Sequence, residues 1–420
     1  MNKHLVAQKD ILKALNNHSL VSEPVHSIRF SAVGDIMKIP SPQKNYVDSR
    51  LNAHLEKSDV VVGNLETLIS PAYPVPTDSL FKMNSDPSVL SAFQRSDGSN
   101  IFSALSLANN HTFDYPDQAI HDTLDYLKQH DIQQTGIQQT NKPYAVIEKN
   151  AIRIGYYALT TFINNSTNFA ASKIAFNPLL QGIAKIPYEK WTNTCDLNYN
   201  PIKQVLAAMD SDNIDFKVIS IHWGYEQHMY PQPQQLQIAR EIMRQGWDVI
   251  IGSHSHTIQP AEVCFFNGYE KSLPDSIASQ SAHQCRMNTS DGIPRKSIAY
   301  YSLGNFTSYT PSIWSQLGVI AELEIEKDAQ GHVDWHSPKY TYTYDHSFHP
   351  PDGKQFLTLF DQQGIQCPWD FCINELDEFL DIPKQHMEGA GFSFSERMRL
   401  IWISGQDAVK ALWYWVTYKE

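Results

Sequence analysis

The chain has 420 residues, 42% hydrophobic and 19% charged, and carries a formal net charge of −12. That is an ordinary globular composition, long enough for one large α/β domain with insertions or for two domains. The acidic balance and the lack of any basic block exclude the electrostatic footprint of a nucleic-acid binder.

The amino-terminal run Met1 to Asp10 has no apolar h-region, and no window approaches the roughly 18 apolar residues that span a bilayer, so no membrane span is expected. Cysteines stand at 195, 264, 285, 367 and 372, an odd set without a CxxC pair. The expectation is five free thiols in a reducing, cytoplasmic setting.

Six short runs rich in Val, Ile and Phe end abruptly in polar residues and read as buried strands. They are Ile28 to Asp35, Asp59 to Glu66, Ile101 to His111, Phe216 to Glu226, Trp247 to His256 and Ser297 to Phe306. Helical spacing fills several of the gaps. Tyr46, Val47, Leu51 and Leu55 share a face before the second run, and Val89, Leu90 and Phe93 do so before the third. Pro116 opens a helix with Ile120, Leu124 and Leu127 inward, and Leu236, Ala239, Ile242 and Met243 form another that Gly246 closes. Alternating strands and helices predict a largely parallel sheet with covered faces. The stretches 164–200 and 268–294 read as loops or insertions. The alternating run Gly318 to Lys327 predicts a strand at the sheet margin, Asp328 to Gln366 mixes loop and strand, and Ser393 to Glu420 reads as a helix packed through Trp402, Trp413 and Trp415.

Function in open α/β sheets collects at the carboxyl ends of the strands. Standing there are Asp35, Glu66, Asn110 with His111, His222 with Glu226, and His254 with His256. Oxygen and nitrogen donors of these kinds suit Mn, Fe, Zn or Mg rather than a thiolate site. His254 and His256, two apart, fall on one side of an extended segment and can grip neighbouring positions. Each donor alone also reads as a cap or turn residue; five strand ends bearing donors together point to a site, one cleft shared by Asp35, Glu66, Asn110, His111, His222, His254 and His256.

Taken in order, Gly34-Asp35, Gly63-Asn64-Leu65-Glu66, Asn109-Asn110-His111 with Asp114-Tyr115, His222-Trp223-Gly224 with Glu226, Gly252-Ser253-His254-Ser255-His256 and Ser302-Leu303-Gly304-Asn305-Phe306 resemble the CapA type of capsule or poly-γ-glutamate biosynthesis proteins. That family is similar to the calcineurin-like metallophosphoesterases. The resemblance implies an α/β fold of two mixed β-sheets packed as a sandwich and flanked by helices. It implies a CapA-like domain over 28–327, after an extension at 1–27 and before a carboxyl-terminal segment, 328–420, packed on it.

The resemblance also implies one or two divalent ions, Mn, Fe or Zn. Asp35 and His256 would hold the first, Asn110, His222 and His254 the second, and Glu66 would stand where a carboxylate bridges them. His111 matches a histidine that protonates a leaving group, with Asp114 orienting it. Backbone donors near Gly304 and Asn305 would hold an electrophile, and Asn305 and Glu226 are candidate substrate contacts. Where the phosphatases carry Asp-x-His, this chain has Asp35-Ile36-Met37, and its second acidic group, Glu66, comes one residue late. The expected function is a metal-dependent hydrolase of a phosphoester or γ-glutamyl-type bond in a small molecule or acidic polymer. The alternatives are a non-catalytic accessory factor in acidic-polymer synthesis, which would need metal ions to offset the protein's own negative charge, and a pseudoenzyme.

Overall fold

A computed structural model describes residues 11–16, 18–39, 46–76, 82–138, 142–174, 199–229, 231–275, 285–308, 310, 314–345 and 357–359. Its strands are β1 Pro24–Ile36, β2 Val60–Leu65, β3 Ala104–Ser106, β4 Gln133–Thr135, β5 Ala145–Lys149, β6 Ile152–Thr160, β7 Phe216–His222, β8 Val249–Ser253, β9 Ile258–Phe266, β10 Cys285–Met287, β11 Arg295–Leu303, β12 Asn305–Thr307, β13 Leu317–Asp328, β14 Val333–Asp345 and β15 Leu357–Leu359. Its α-helices are α1 Ser49–Leu55, α2 Ser88–Ser91, α3 Asp117–Gln129, α4 Ser166–Ala171, α5 Asn200–Ser211 and α6 Pro233–Gln245.

The strands form two mixed sheets rather than one largely parallel sheet. The first runs β15-β14-β13-β1-β2-β3-β4, with β12 beside β1, and the second runs β10-β9-β11-β8-β7-β6-β5. Phe30, Ala32, Val60 and Val62 from the first face Tyr156, Val218, Val249 and Tyr300 from the second in one buried layer. The outer face of the first sheet is covered by α1, α2 and α3 through Leu51, Leu55, Leu90, Ile120 and Leu124. The second is covered by α5 and α6 through Ile202, Met209, Leu236 and Ile242. This is the sandwich that the resemblance implies.

Local chemistry sets the helix limits. Asp48 caps α1 by accepting from Arg50 N, so Tyr46 and Val47 precede the helix instead of opening it. Pro116 stands at the start of α3, and Gly246 ends α6 with φ 117°.

Three expectations about strands are corrected. The run Ile101 to His111 yields only the three residues of β3, the donors following on a loop. β13 is not marginal: it pairs antiparallel with β1 on one side and β14 on the other. Its alternation reflects one half-solvated face, where Glu322 meets His54 and Glu324 meets Arg29, and a wet face is a different thing from a free edge. The boundary expected at 327 falls inside the β13–β14 hairpin, and β14 and β15 continue the first sheet. The helix expected over Ser393 to Glu420 lies outside the described residues, as do parts of the two expected insertions.

The cysteine expectation is overturned. Cys264 and Cys285 are register partners on the adjacent parallel strands β9 and β10 and are joined in a disulfide, with their Cα atoms 4.5 Å apart. Both are buried. A separation of 21 residues matches no short motif, which is why sequence spacing did not show the pair. The cysteines therefore give no ground for a reducing compartment. Among the described residues, no helix is long and apolar enough to cross a membrane.

At the amino-terminal end of β11, Lys296 is 1% exposed and donates to Asp334 Oδ1 and to the Tyr269 hydroxyl, both at 2.5 Å. Asp334 Oδ2 accepts from Tyr269 and from Leu20 N, which ties the amino-terminal segment to β14. Burial pushes the Lys296 ammonium down to about 8, against the pull of Asp334.

Two outcomes follow from these contacts. Lys296→Ala leaves Asp334 buried without its cation and should lower unfolding free energy by about 3–5 kcal/mol, while Lys296→Met with Asp334→Asn should lose less; equal loss in chemical denaturation would count against a charge-pair origin. Non-reducing peptide mapping should recover Cys264 linked to Cys285, and replacing both by Ser should cost about 3 kcal/mol. Recovery of both as free thiols would reject the cross-link.

Candidate metal centre

The two sheets turn the carboxyl ends of β1, β2, β7 and β8 toward one point. Asp35 ends β1 at a bulge where the register with β2 shifts between Ala32 and Asp35. The bulge needs a glycine: a Cβ on Gly34 would lie 1.9 Å from Gly304 O, the carbonyl that accepts from Asp35 N. A Cβ on Gly252 of β8 would similarly meet Tyr301 O at 2.0 Å. Close backbone approach on both sides thus brings Asp35 and His254 together, and His254 N donates to Asp35 Oδ2 at 3.0 Å.

The segment His254-Ser255-His256 is not extended. His254 and His256 have φ of 92° and 55°, a region that side-chain-bearing residues seldom adopt. The resulting turn, rather than strand alternation, sets the two imidazoles 5.8 Å apart between centroids.

Glu66 lies at the middle. It is fully buried, and among the described residues no donor reaches either of its oxygens. Around Oε1 stand His222 Nε2 at 3.5 Å, His256 Nε2 at 3.7 Å and His111 Nε2 at 3.9 Å. These separations are too long for hydrogen bonds. They are close to the spacing of about 3.4 Å between donors set tetrahedrally around one zinc-sized ion. Two sets of donor atoms, Asp35–Glu66–His222 and Glu66–His254–His256, each fall within 4.8 Å of one another. Glu66 belongs to both. Asn110 Oδ1 lies 2.7 Å from His222 Nε2, so both face the same place.

Distances do not divide the donors into two exclusive groups: Asp35 Oδ2 lies 3.6 Å from His256 Nδ1 and Asp35 Oδ1 4.0 Å from His222 Nδ1, while the His254 ring stands 4.7 Å from that of His222 and 5.8 Å from that of His256 between centroids.

Electrostatics favour a cation here. Burial, and then the neighbouring Asp35 and Glu226, push the Glu66 carboxyl well above the usual range. Asp35 is raised chiefly by burial, although His256 and the Asn64 amide oppose the rise. Burial and the adjoining rings push His222 and His254 well below the ordinary imidazole range, so both are neutral ligand-type donors at neutral pH. The donor set fits a divalent ion.

Several side chains that fix these donors were not singled out from the sequence. Asn64 Nδ2 donates to Asp35 Oδ1 at 2.7 Å and lies 3.3 Å from His222 Nδ1. Asn109 Nδ2 donates to Asn64 Oδ1 and to Leu65 O, and Asn109 Oδ1 accepts from His111 N. Ser253 Oγ lies 2.9 Å from His222 Nδ1. Period-2 spacing puts Asn64 on the face of Glu66 and is a signal that could have found it; Ser253 offered none.

His111 Nδ1 lies 2.6 Å from Asp114 Oδ2, which also accepts from Met83 N, so the ring is fixed with Nε2 toward Glu66. Asn305 differs from the substrate contact expected of it. Its Oδ1 lies 2.9 Å from His256 Nδ1 and its Nδ2 donates to Ser315 O and Ser308 Oγ, so the amide is committed to holding His256. Glu226 is exposed on the turn after β7. Met37 is buried, its backbone tied to Thr307.

Two packed mixed sheets with a cluster of carboxylate, amide and imidazole donors at their strand ends define an α/β sandwich with a candidate metal centre. The model of the bacterial capsule synthesis protein family PGA_cap matches residues 29–310, and the chain belongs to that family. It is 26% identical over 254 residues to the capsule biosynthesis protein CapA of Bacillus anthracis, covering 56% of each chain. It is 25% identical over 240 residues to the PGA biosynthesis protein CapA of Bacillus subtilis (strain 168), covering 56% of this chain and 50% of that one. The chain thus matches about half the length of these relatives. A solved phosphatase from Mycoplasma pneumoniae is similar over 80% of this chain and 95% of its own, at 11% identity and a TM-score of 0.38.

Elemental analysis after dialysis against a weak chelator tests the shared carboxylate. Glu66→Gln should lose all bound metal, whereas His222→Ala and His256→Ala should each weaken one ion by at least 10 to 100-fold and retain the other. The same loss in all three variants would reject two ions sharing Glu66.

Proposed function

We propose that this chain is a metal-dependent hydrolase of acidic-polymer biosynthesis, cleaving a phosphoester or γ-glutamyl-type bond. The observation that supports the reading is one arrangement: a buried carboxylate ringed by imidazoles, with the His111–Asp114 pair aimed at it from the side. The polymer comes from the names of the relatives, which speak of capsule and PGA biosynthesis.

Asp35, Glu66, Asn110, His222, His254 and His256 would hold the metal. A divalent ion bound there supplies Lewis acidity and lowers the pKa of a nearby water. The chain's own part is to position and to move a proton. Asn64 and Asn305 hold Asp35 and His256 in place without adding negative charge to a site that already contains the buried carboxyl groups of Asp35, Glu66 and Asp114. Asp114 holds the His111 ring at Nδ1, so that a proton on Nε2 points into the cleft and passes to the departing oxygen or nitrogen. Lys38, buried, donates to Pro76 O and to Lys82 O, the residue before Met83, whose N–H supports Asp114.

His111→Asn should lower kcat by about 10² to 10⁴-fold with metal content unchanged. Asp114→Asn should do so by about 10 to 100-fold. A chelator should abolish turnover, and added Mn or Zn should restore it. The assay is a panel of phosphomonoesters, phosphodiesters and γ-glutamyl oligomers; a metal-loaded wild-type protein that cleaves none of them overturns the hydrolase reading.

A further inference from the structure

Phe162 follows β6 on a short turn that the mechanism above does not use. The turn is pinned to donor residues at both ends. Thr161 N donates to His222 O at 3.0 Å, the Thr160 and Thr161 hydroxyls reach the same carbonyl, and Asn164 N donates to Asn110 O at 3.0 Å. Between these anchors the Phe162 ring stands edge-on to His254, with centroids 4.4 Å apart at 70°, and 6.2 Å from His222. His222 and His254 are each 1% exposed, while Phe162 is partly exposed. The ring is therefore set against the donors while the residue remains partly exposed.

The groups around Glu66 are carboxylates, amides and imidazoles; a phenyl ring there can neither ligate a cation nor carry a proton. What it offers is a dry, rigid face next to polar groups, the composition of a pocket that orients a ligand by its carbon framework. Resting on the reading of the cluster as a metal-dependent hydrolytic site, we propose that Phe162 is a specificity-determining residue: it is the wall against which the carbon framework adjoining the scissile bond packs. It favours substrates whose reacting group carries a planar or methylene-rich substituent over the bare oxyanion.

The test is binding to metal-loaded protein by calorimetry, with inorganic phosphate and phenylphosphonate as probes and metal content measured alongside. Phe162→Ala should weaken phenylphosphonate by about 3 to 10-fold, the range of a lost aromatic contact, and leave phosphate within about two-fold. Phe162→Tyr should restore the wild-type preference. Equal changes for both anions, or no change for phenylphosphonate, would overturn the wall. Loss of metal from Phe162→Ala would also overturn it, making the ring a prop for His254. Failure of wild type to bind either anion would instead overturn the underlying reading of the site, and the wall with it.

Discussion

Glu66 holds a carboxyl group whose oxygens no hydrogen-bond donor reaches among the described residues, and the donors gathered around it depend on that burial. Burying a carboxylate without a partner is costly, and here Asp35 and the imidazoles of His111, His222, His254 and His256 are buried within a few ångströms of it. Without a cation the groups move toward their neutral forms, as the raised carboxyls and lowered imidazoles show. The sheet-on-sheet packing supplies the stability that keeps such a cluster assembled. Binding of a divalent ion would in turn stabilise the folded chain, because the unfolded chain offers no comparable set of donors.

The surrounding layer is built almost wholly from neutral groups. Asn64, Asn109, Asn305 and Ser253 all touch a donor or hold its neighbour. An amide can donate to a carboxylate with one end and accept from a backbone or a ring with the other, so it orients without changing the charge. Replacing any of them with a carboxylate would add a further buried negative group to a site that already holds Asp35, Glu66 and Asp114.

Much of this was legible in the sequence because the donors follow strands, and strands announce themselves by Val and Ile runs cut short at polar residues. Asp35, Glu66, Asn110, His111, His222, His254 and His256 do meet at one place. The turn that carries His254 and His256 was not legible, since it depends on positive φ at both, and single residues in that region leave no periodic trace. The position of β13 was misread for a related reason: alternation records which face is wet and says nothing about which edges are paired. Cys264 and Cys285 are joined by register across two strands, a relation that sequence spacing does not carry. Asn305 was read as a contact for substrate from the resemblance; its two engaged amide ends show that it holds His256.

The disulfide also changes the connectivity of the molecule. With Cys264 bonded to Cys285, the intervening residues close into a covalent ring attached to the second sheet. A peptide bond broken anywhere within that ring does not part the chain. The amino-terminal portion, with all the donors from Asp35 to His256, stays joined to the portion that supplies Asn305 and the β13–β14 hairpin. The chain can be nicked there and remain one molecule.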